Sequence, residues 1–144
     1  MKKEILPAVA AAIFDEKGNI LLQKRSDVNK WCLISGHVEF GETVGDAVLR
    51  EVFEETNTSA SITRFIGIYS SPSSQTYHYD NRKVQYITSY FEVRLDKDIV
   101  PGFTNEESAE LKFFPVNNIP EDLALLNPDW LHDALDKQGS VFIR

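Results

Sequence analysis

Three glutamates, Glu51, Glu54 and Glu55, lie close together in one short stretch of the sequence. Residues three and four positions apart share one face of an α-helix, so Glu51 is expected beside both of the others. Oxygen ligands crowded in this way suit Mg²⁺ or Mn²⁺. The alternative is a solvated acidic helix face, and the helix considered alone favours that alternative because most charged runs are of this kind.

The flanking residues predict where this helix begins and ends. Thr43 and Asp46 are close to a capping box, so we place the start of the helix at Thr43. Asn57 readily takes the left-handed conformation that ends a helix. Apolar residues between these caps predict a buried face bordering the carboxylates: Val44, Val48, Leu49, Val52 and Phe53.

A glycine-bearing loop precedes the helix at a fixed distance. Five residues separate Gly36 from Glu42, and seven more separate Glu42 from the run that begins at Arg50. With this spacing the sequence resembles a Nudix hydrolase, on the box positions Gly36, Glu42, Arg50, Glu51, Val52, Glu54 and Glu55. The chain departs from the box where Asn57 replaces a glycine and Thr58 an apolar residue. Many members have Pro-Gly before the first box glycine and another glycine after it, where this chain has Ile34-Ser35 and His37. Since asparagine adopts the same backbone conformation as that glycine, we expect the helix cap to survive.

The resemblance implies hydrolysis of a nucleoside diphosphate linked to another group, with water attacking a phosphorus of the pyrophosphate. It implies Mg²⁺ or Mn²⁺ bound by Glu51, Glu54 and Glu55, with the carbonyl of Ser35 as a further ligand. Gly36 would let the backbone approach the metal and the phosphates closely. Such chemistry depends on positioning and on neutralising charge on the phosphate oxygens.

Arg50 lies four residues before Glu54 and can pair with it, and the resemblance implies that it orients the catalytic glutamates. Glu42 precedes the helix, where the positive helix end favours a carboxylate, and it can reach back toward Arg50. The general base stays open between Glu51 and a later glutamate. Among the later candidates, Glu106, Glu107 and Glu110, we favour Glu107, because Glu110 begins a predicted strand.

Substrate contacts are expected outside the box. Arg25 follows a strand and can meet a phosphate, and Tyr77, Tyr79 and Arg82 lie in a long polar segment where binding residues tend to concentrate. Phe40 is a further aromatic candidate in the box loop. Partial burial in the core or at its rim is the alternative for each tyrosine.

The remaining pattern predicts an α+β domain over residues 1–144. The Nudix resemblance implies a mixed central β-sheet sandwiched between helices (α/β/α). Asp15 to Gly18 predicts a hairpin turn between the first two strands. Ser70 to Asn81 is predicted as the longest loop, and Asn127 as the cap of a last helix over Pro128 to Lys137. The predicted strands are Ile5–Phe14, Asn19–Lys24, Trp31–Ser35, Ser59–Ser70, Lys83–Leu95 and Glu110–Val116.

Composition limits the partners. The 144 residues carry a net charge of −7 with no basic block, which argues against a duplex nucleic-acid surface. No apolar run approaches the roughly 20 residues that span a bilayer, so no membrane association is expected. The single cysteine, Cys32, agrees with a reducing cytoplasm. Monomer and homodimer are equally compatible with the sequence.

Several substrates are compatible with the resemblance. A nucleoside triphosphate, oxidised forms included, is our first expectation, because the domain is small and lacks additions. ADP-ribose, other nucleotide-sugars and dinucleoside polyphosphates remain alternatives. A non-catalytic nucleotide-sensing module and a plain acidic structural protein are the competing classes, and the retained box glutamates favour the enzyme.

Overall fold

Two long parallel strands form the centre of the fold. Strand β1, Lys2–Ile13, pairs with β7, Arg82–Leu95, along its whole length. The computed structural model describes all 144 residues, Met1–Arg144. The other elements are β2 Ile20–Arg25, β3 Trp31–Cys32, β4 Ile34–His37, α1 Val44–Thr56, β5 Ala60–Tyr69, α2 Pro72–Gln75, β6 Thr76–His78, β8 Ser108–Phe114, α3 Trp130–Leu135 and β9 Phe142–Ile143. None of the helices is long and apolar enough to cross a membrane.

The strands form a mixed main sheet and a smaller second sheet. The main sheet has the order β4-β1-β7-β5-β9, and β6 also pairs with β7. Its β1–β7 and β5–β9 pairs are parallel, and its other pairs are antiparallel. The second sheet, β3-β2-β8, is antiparallel throughout. This is the expected α+β architecture.

Alternation along β1 explains why helices cover both faces of the main sheet. Val9 and Ala11 point to one face and pack in a core with Val48 and Val52 of α1. Ala10 and Ala12 point to the other face and share a core with α3. Successive strand residues face opposite sides, so an apolar run such as β1 fits a sheet that is buried twice. The predicted α/β/α layering is confirmed.

The first two strands do not form the predicted hairpin. Gly18 makes the turn with φ +82°, but β1 and β2 then enter different sheets and share only the bridge between Phe14 and Ile20. The predicted strand Trp31–Ser35 is likewise divided. Trp31 and Cys32 pair with β2, whereas Ile34 and Ser35 pair with β1, because the chain crosses between the sheets at this point.

The predicted long loop from Ser70 to Asn81 was wrong, since it contains α2 and β6. The polar composition gave no strand signal, and β6 is a strand because its backbone pairs with the nearby start of β7, from Lys83 to Gln85. The last helix begins later than predicted, with Asp129 as its N-cap. Asn127 instead forms the preceding turn, where its Oδ1 accepts from Asp129 N at 2.8 Å.

A buried charge network fixes α3 to the main sheet. Asp133 has no exposed surface, and it accepts hydrogen bonds from Tyr69 and from Arg144 Nε and a terminal nitrogen at 2.9 and 2.7 Å. Burial raises the pKa of Asp133, but the hydrogen bonds from Arg144, Tyr69 and His132 outweigh it and bring the pKa to about 2. This carboxylate faces inward from α3, whereas Leu135 at the end of the same helix is exposed.

Candidate active site

Helix α1 is capped at both ends as the sequence predicted. Thr43 Oγ1 accepts from Asp46 N at 3.0 Å, and Asp46 accepts in return from Thr43 N at 3.2 Å. Asn57 takes the left-handed conformation with φ 56°, and its N–H donates to Phe53 O at 2.7 Å. The predicted apolar face is narrower than expected, because Val44 and Phe53 are exposed. Val48 and Val52 are buried and fix the rotation of the helix.

Arg50 joins the loop and the helix. Its guanidinium donates to both oxygens of Glu42 at 2.7 and 3.0 Å, and to the carbonyl of His37 at 2.9 Å. It also donates to Glu51 at 2.9 Å and to Glu54 at 3.2 Å. Hydrogen bonding from Arg50 is the main reason that the pKa of Glu42 lies below its usual value. The predicted pairing of Arg50 with Glu54 and Glu42 is confirmed, and a planar five-donor group suits this bridging position.

Glu51 lies directly over Gly36 of β4. A Cβ atom at Gly36 would be 2.1 Å from Glu51 Oε1 and 2.2 Å from its Cδ. Glycine is therefore the residue that lets the carboxylate rest on the strand. Burial raises the pKa of Glu51 to about 7, although Arg50 donates to it and opposes that rise.

Glu55 is the most deeply buried carboxylate of the helix, with 2% of its surface exposed. Its Oε2 is buried without a hydrogen-bond partner. Burial raises the pKa of Glu55, and the neighbouring carboxylate of Glu107 adds to the rise while the amide of Asn105 opposes it. An unpaired buried carboxylate is costly, so this oxygen fits a site that receives a cation.

The donor set matches a divalent cation in chemistry but is not assembled around one point. Nowhere in the chain do three side chains of His, Cys, Asp or Glu converge closely enough to hold a metal ion as they stand. The hydrogen bonds from Arg50 explain this, because they hold Glu51 and Glu54 while Glu55 lies deeper. Glu54 is half-exposed at the rim, where its hydrogen bond from Arg50 is 3.2 Å long. Oxygen ligands of this kind suit Mg²⁺ and Mn²⁺.

Two of these carboxylates, Glu51 and Glu54, border a cleft of about 890 Å³ that opens between the sheet and the loops, whereas Glu55 does not line it. Six of the sequence-predicted site residues line it outside the helix: Arg25, Ser35, Gly36, Tyr77, Tyr79 and Glu107. From α1, Arg50, Glu51 and Glu54 line the same cleft. The fold therefore brings together residues that are far apart in the sequence, in a cavity of the size that small ligands occupy.

Two predicted substrate residues lie elsewhere. Phe40 is fully exposed and does not line the cleft. Arg82 lies in a separate surface hollow, pairs with Glu4 at 3.1 Å and stacks over the ring of Tyr79. The expected position of Arg82 in the long polar loop was wrong, since Arg82 begins β7 and its side chain pairs with Glu4 of β1.

Arg25 reaches the cleft with its charge already paired. Its guanidinium donates two hydrogen bonds to Asp27, at 3.0 and 3.1 Å. Lys30 also lines the cleft and forms no ion pair, a residue that sequence reasoning missed. Lys30 lies in the loop before β3. This loop borders the cleft because the chain crosses from one sheet to the other at residues 31–34, which the sequence does not indicate.

A group of aromatic side chains forms one wall of the cleft. Its central member, Tyr86, was not predicted from the sequence. The ring of Tyr86 stacks on His37, and its hydroxyl contacts His37 Nε2 at 3.0 Å and the Tyr79 hydroxyl at 2.9 Å. Tyr77 packs edge-on against Tyr86 and donates its own hydroxyl to Leu125 O at 3.1 Å. Tyr86 reads as an ordinary strand residue, so the sequence holds no local signal for its place in the cleft.

Comparison with known proteins agrees with this geometry. A family model described as the NUDIX domain matches residues 4–134. A crystal structure of a MutT protein from Methanosarcina mazei Go1 is similar with a TM-score of 0.71, at 26% identity, over 92% of this chain and 94% of that one.

Two curated relatives carry different names. An ADP-ribose pyrophosphatase from Methanocaldococcus jannaschii is 33% identical over 121 residues, which cover 80% of this chain and 66% of that protein. A putative 8-oxo-dGTP diphosphatase from Bacillus subtilis is 41% identical over 63 residues, which cover 44% of this chain and 42% of that protein. The matched regions thus span less than two thirds of either relative.

Proposed function

Because the chain belongs to the Nudix family, we propose that it is a divalent-metal-dependent pyrophosphohydrolase that cleaves a nucleoside diphosphate linked to another group. The observation that carries the proposal is the cluster at Gly36. There the Glu51 carboxylate rests against Gly36, where only glycine leaves room for it, and on the same helix Glu55 has a buried oxygen without a partner. A plain acidic surface helix would leave its carboxylates in water.

Glu51, Glu54 and Glu55, with the Ser35 carbonyl, are the proposed ligands of Mg²⁺ or Mn²⁺. When bound, the ion would neutralise charge on the phosphate oxygens and lower the pKa of water. Arg50 keeps Glu51 and Glu54 in place through its hydrogen bonds, and Glu42 anchors Arg50 from the loop. Gly36 leaves the backbone accessible to the diphosphate.

Glu107 is the proposed general base, and Glu51 is the alternative. Glu107 lines the cleft, forms no ion pair and lies on a different element from the ligand helix. Its carboxylate can therefore take a proton from the attacking water while the helix carboxylates stay engaged. Glu51 accepts from Arg50 and is buried against Gly36, which suits a ligand better than a base.

The cleft walls support a nucleotide substrate. Tyr77 and Tyr79 offer aromatic surface for a base, and Arg25 lies where it can meet an anionic group. Our first candidate is a nucleoside triphosphate. ADP-ribose is the second, because the relative that aligns with 80% of the chain is an ADP-ribose pyrophosphatase.

The test is hydrolysis of a purified substrate panel with Mg²⁺: nucleoside triphosphates, ADP-ribose, UDP-sugars and dinucleoside polyphosphates. Glu54→Gln or Glu55→Gln should lower kcat/KM by about 100-fold or more, with the protein still folded. Glu16→Gln is the matched control, because Glu16 is an exposed glutamate at the turn between β1 and β2. No hydrolysis of any substrate by the wild type, or full activity of either helix variant, would contradict the proposal.

A further inference from the structure

In the segment between β7 and β8, the side chain of Asn105 makes a hydrogen bond to helix α1. Its Nδ2 donates to the carbonyl of Glu54 at 2.9 Å. Its Oδ1 accepts from the backbone N–H groups of Glu107 at 2.9 Å and of Ser108 at 2.8 Å. One amide thus links the last turns of the glutamate-bearing helix to the start of β8.

Asparagine suits this position because both halves of its amide are used. The oxygen closes a local turn around the following backbone, which is a common role of asparagine in loops. The nitrogen supplies a donor to a helix carbonyl near the C-terminal end, where carbonyl groups lack partners within the helix. Aspartate has no donor and would place another negative charge beside Glu54 and Glu55.

The contact determines where Glu107 can lie. Its N–H is held by Asn105, and its carbonyl accepts from Ser26 N at 3.0 Å, so its backbone is fixed on both sides. From this backbone position its side chain lines the cleft together with Glu51 and Glu54. Without Asn105, the Glu107 N–H would lose its acceptor, and the amide link from this segment to the helix backbone would be lost.

We propose that Asn105 is a positioning residue that fixes the Glu107 carboxylate at the cleft relative to the helix carboxylates. The inference rests on the proposed function and adds to it a residue outside the box that sets the geometry of the base. A displacement of about 1 Å in a reacting group can cost about 100-fold in rate. Loss of this single amide is therefore expected to lower kcat.

The test is a double-mutant cycle with Asn105→Ala, Glu107→Gln and the double variant, measured as kcat and KM at saturating Mg²⁺. Asn105→Ala should lower kcat about 10- to 100-fold with KM nearly unchanged. The double variant should be no slower than Glu107→Gln, because the proposal assigns the effect of Asn105 on kcat to the Glu107 carboxylate. Asn117→Ala, at an exposed turn, is the matched control and should keep wild-type kcat.

Hydrogen exchange supplies a second readout that does not depend on turnover. The amides of Glu107 and Ser108 should exchange faster in Asn105→Ala, because both lose their acceptor. Wild-type kcat in Asn105→Ala, or a double variant slower by the product of the two single losses, would overturn the inference while leaving the proposed function standing. A wild type inactive on every substrate would overturn the proposed function itself.

Discussion

Replacement of Gly36 by alanine tests the packing of Glu51 on β4. The new Cβ would lie 2.1 Å from Glu51 Oε1 and 2.6 Å from Oε2. Non-bonded heavy atoms rest at about 3.5–4.0 Å, so the carboxylate must move by more than about 1 Å. Glu51 would then leave the position in which it accepts from Arg50. A shift of that size costs about 100-fold in rate.

The expected stability change is smaller, since overpacking costs about 1–3 kcal/mol and the displaced group is a side chain rather than backbone. The assay is kcat/KM on the best substrate of the panel, together with the midpoint of thermal unfolding. Gly36→Ala should lose about 100-fold in kcat/KM while melting as a folded protein.

Gly45→Ala in α1 is the matched control. Its Cβ would meet Ile62 Cδ1 at 3.4 Å and Thr43 Oγ1 at 3.7 Å, which are ordinary contacts. Alanine also favours a helix over glycine by roughly 0.5–1 kcal/mol, so this variant should keep its activity and melt no lower than the wild type. A folded Gly36→Ala with wild-type kcat/KM would refute the role assigned to this glycine.

Three further changes test other parts of the structure. Arg50→Lys should lower kcat/KM about 10- to 100-fold, because an ammonium cannot reproduce five contacts to Glu42, Glu51, Glu54 and His37; unchanged kinetics would contradict the orienting role. Asp133 has a pKa of about 2, below its unfolded value near 4, so its stabilising contribution is present above pH 4 and is lost as pH falls toward 2. Chemical denaturation of the wild type should therefore lose about 2 kcal/mol more than that of Asp133→Asn between pH 4 and 2, and parallel curves would exclude this linkage. Gly67→Ala should lower the melting temperature by several degrees, because its Cβ would lie 2.2 Å from the backbone oxygen of Phe142 and displace β9; an unchanged melting temperature would show that the contact is not needed.

Local signals in the sequence were enough to predict the helix of the box and the ends of that helix. The caps at Thr43 and Asn57 depend on neighbours along the chain. A 3.6-residue period places Glu54 beside both Arg50 and Glu51. Burial of Glu55 could not be foreseen, because it depends on packing against distant parts of the chain.

The same reasoning failed where a structure or a role depends on contacts with another element. The segment around Tyr77 has the composition of a loop and becomes a strand only because β7 offers backbone partners. Tyr86 and Asn105 have no motif around them, and their roles arise from contacts across 49 and 51 positions of the chain. Phe40 is the opposite case. Its place in the box loop suggested a substrate contact, but its side chain is fully exposed to solvent.

The central claim is that the carboxylates of α1 receive a divalent cation at the floor of the cleft. Binding of Mn²⁺ measured by electron paramagnetic resonance, without nucleotide, tests it most directly on the wild type, Glu55→Gln and Glu16→Gln. The wild type and Glu16→Gln should bind the ion equally well, and Glu55→Gln should bind it at least about tenfold more weakly, because the unpartnered buried oxygen is lost as an anion. Equal binding by all three proteins, or no binding by the wild type, would contradict the claim.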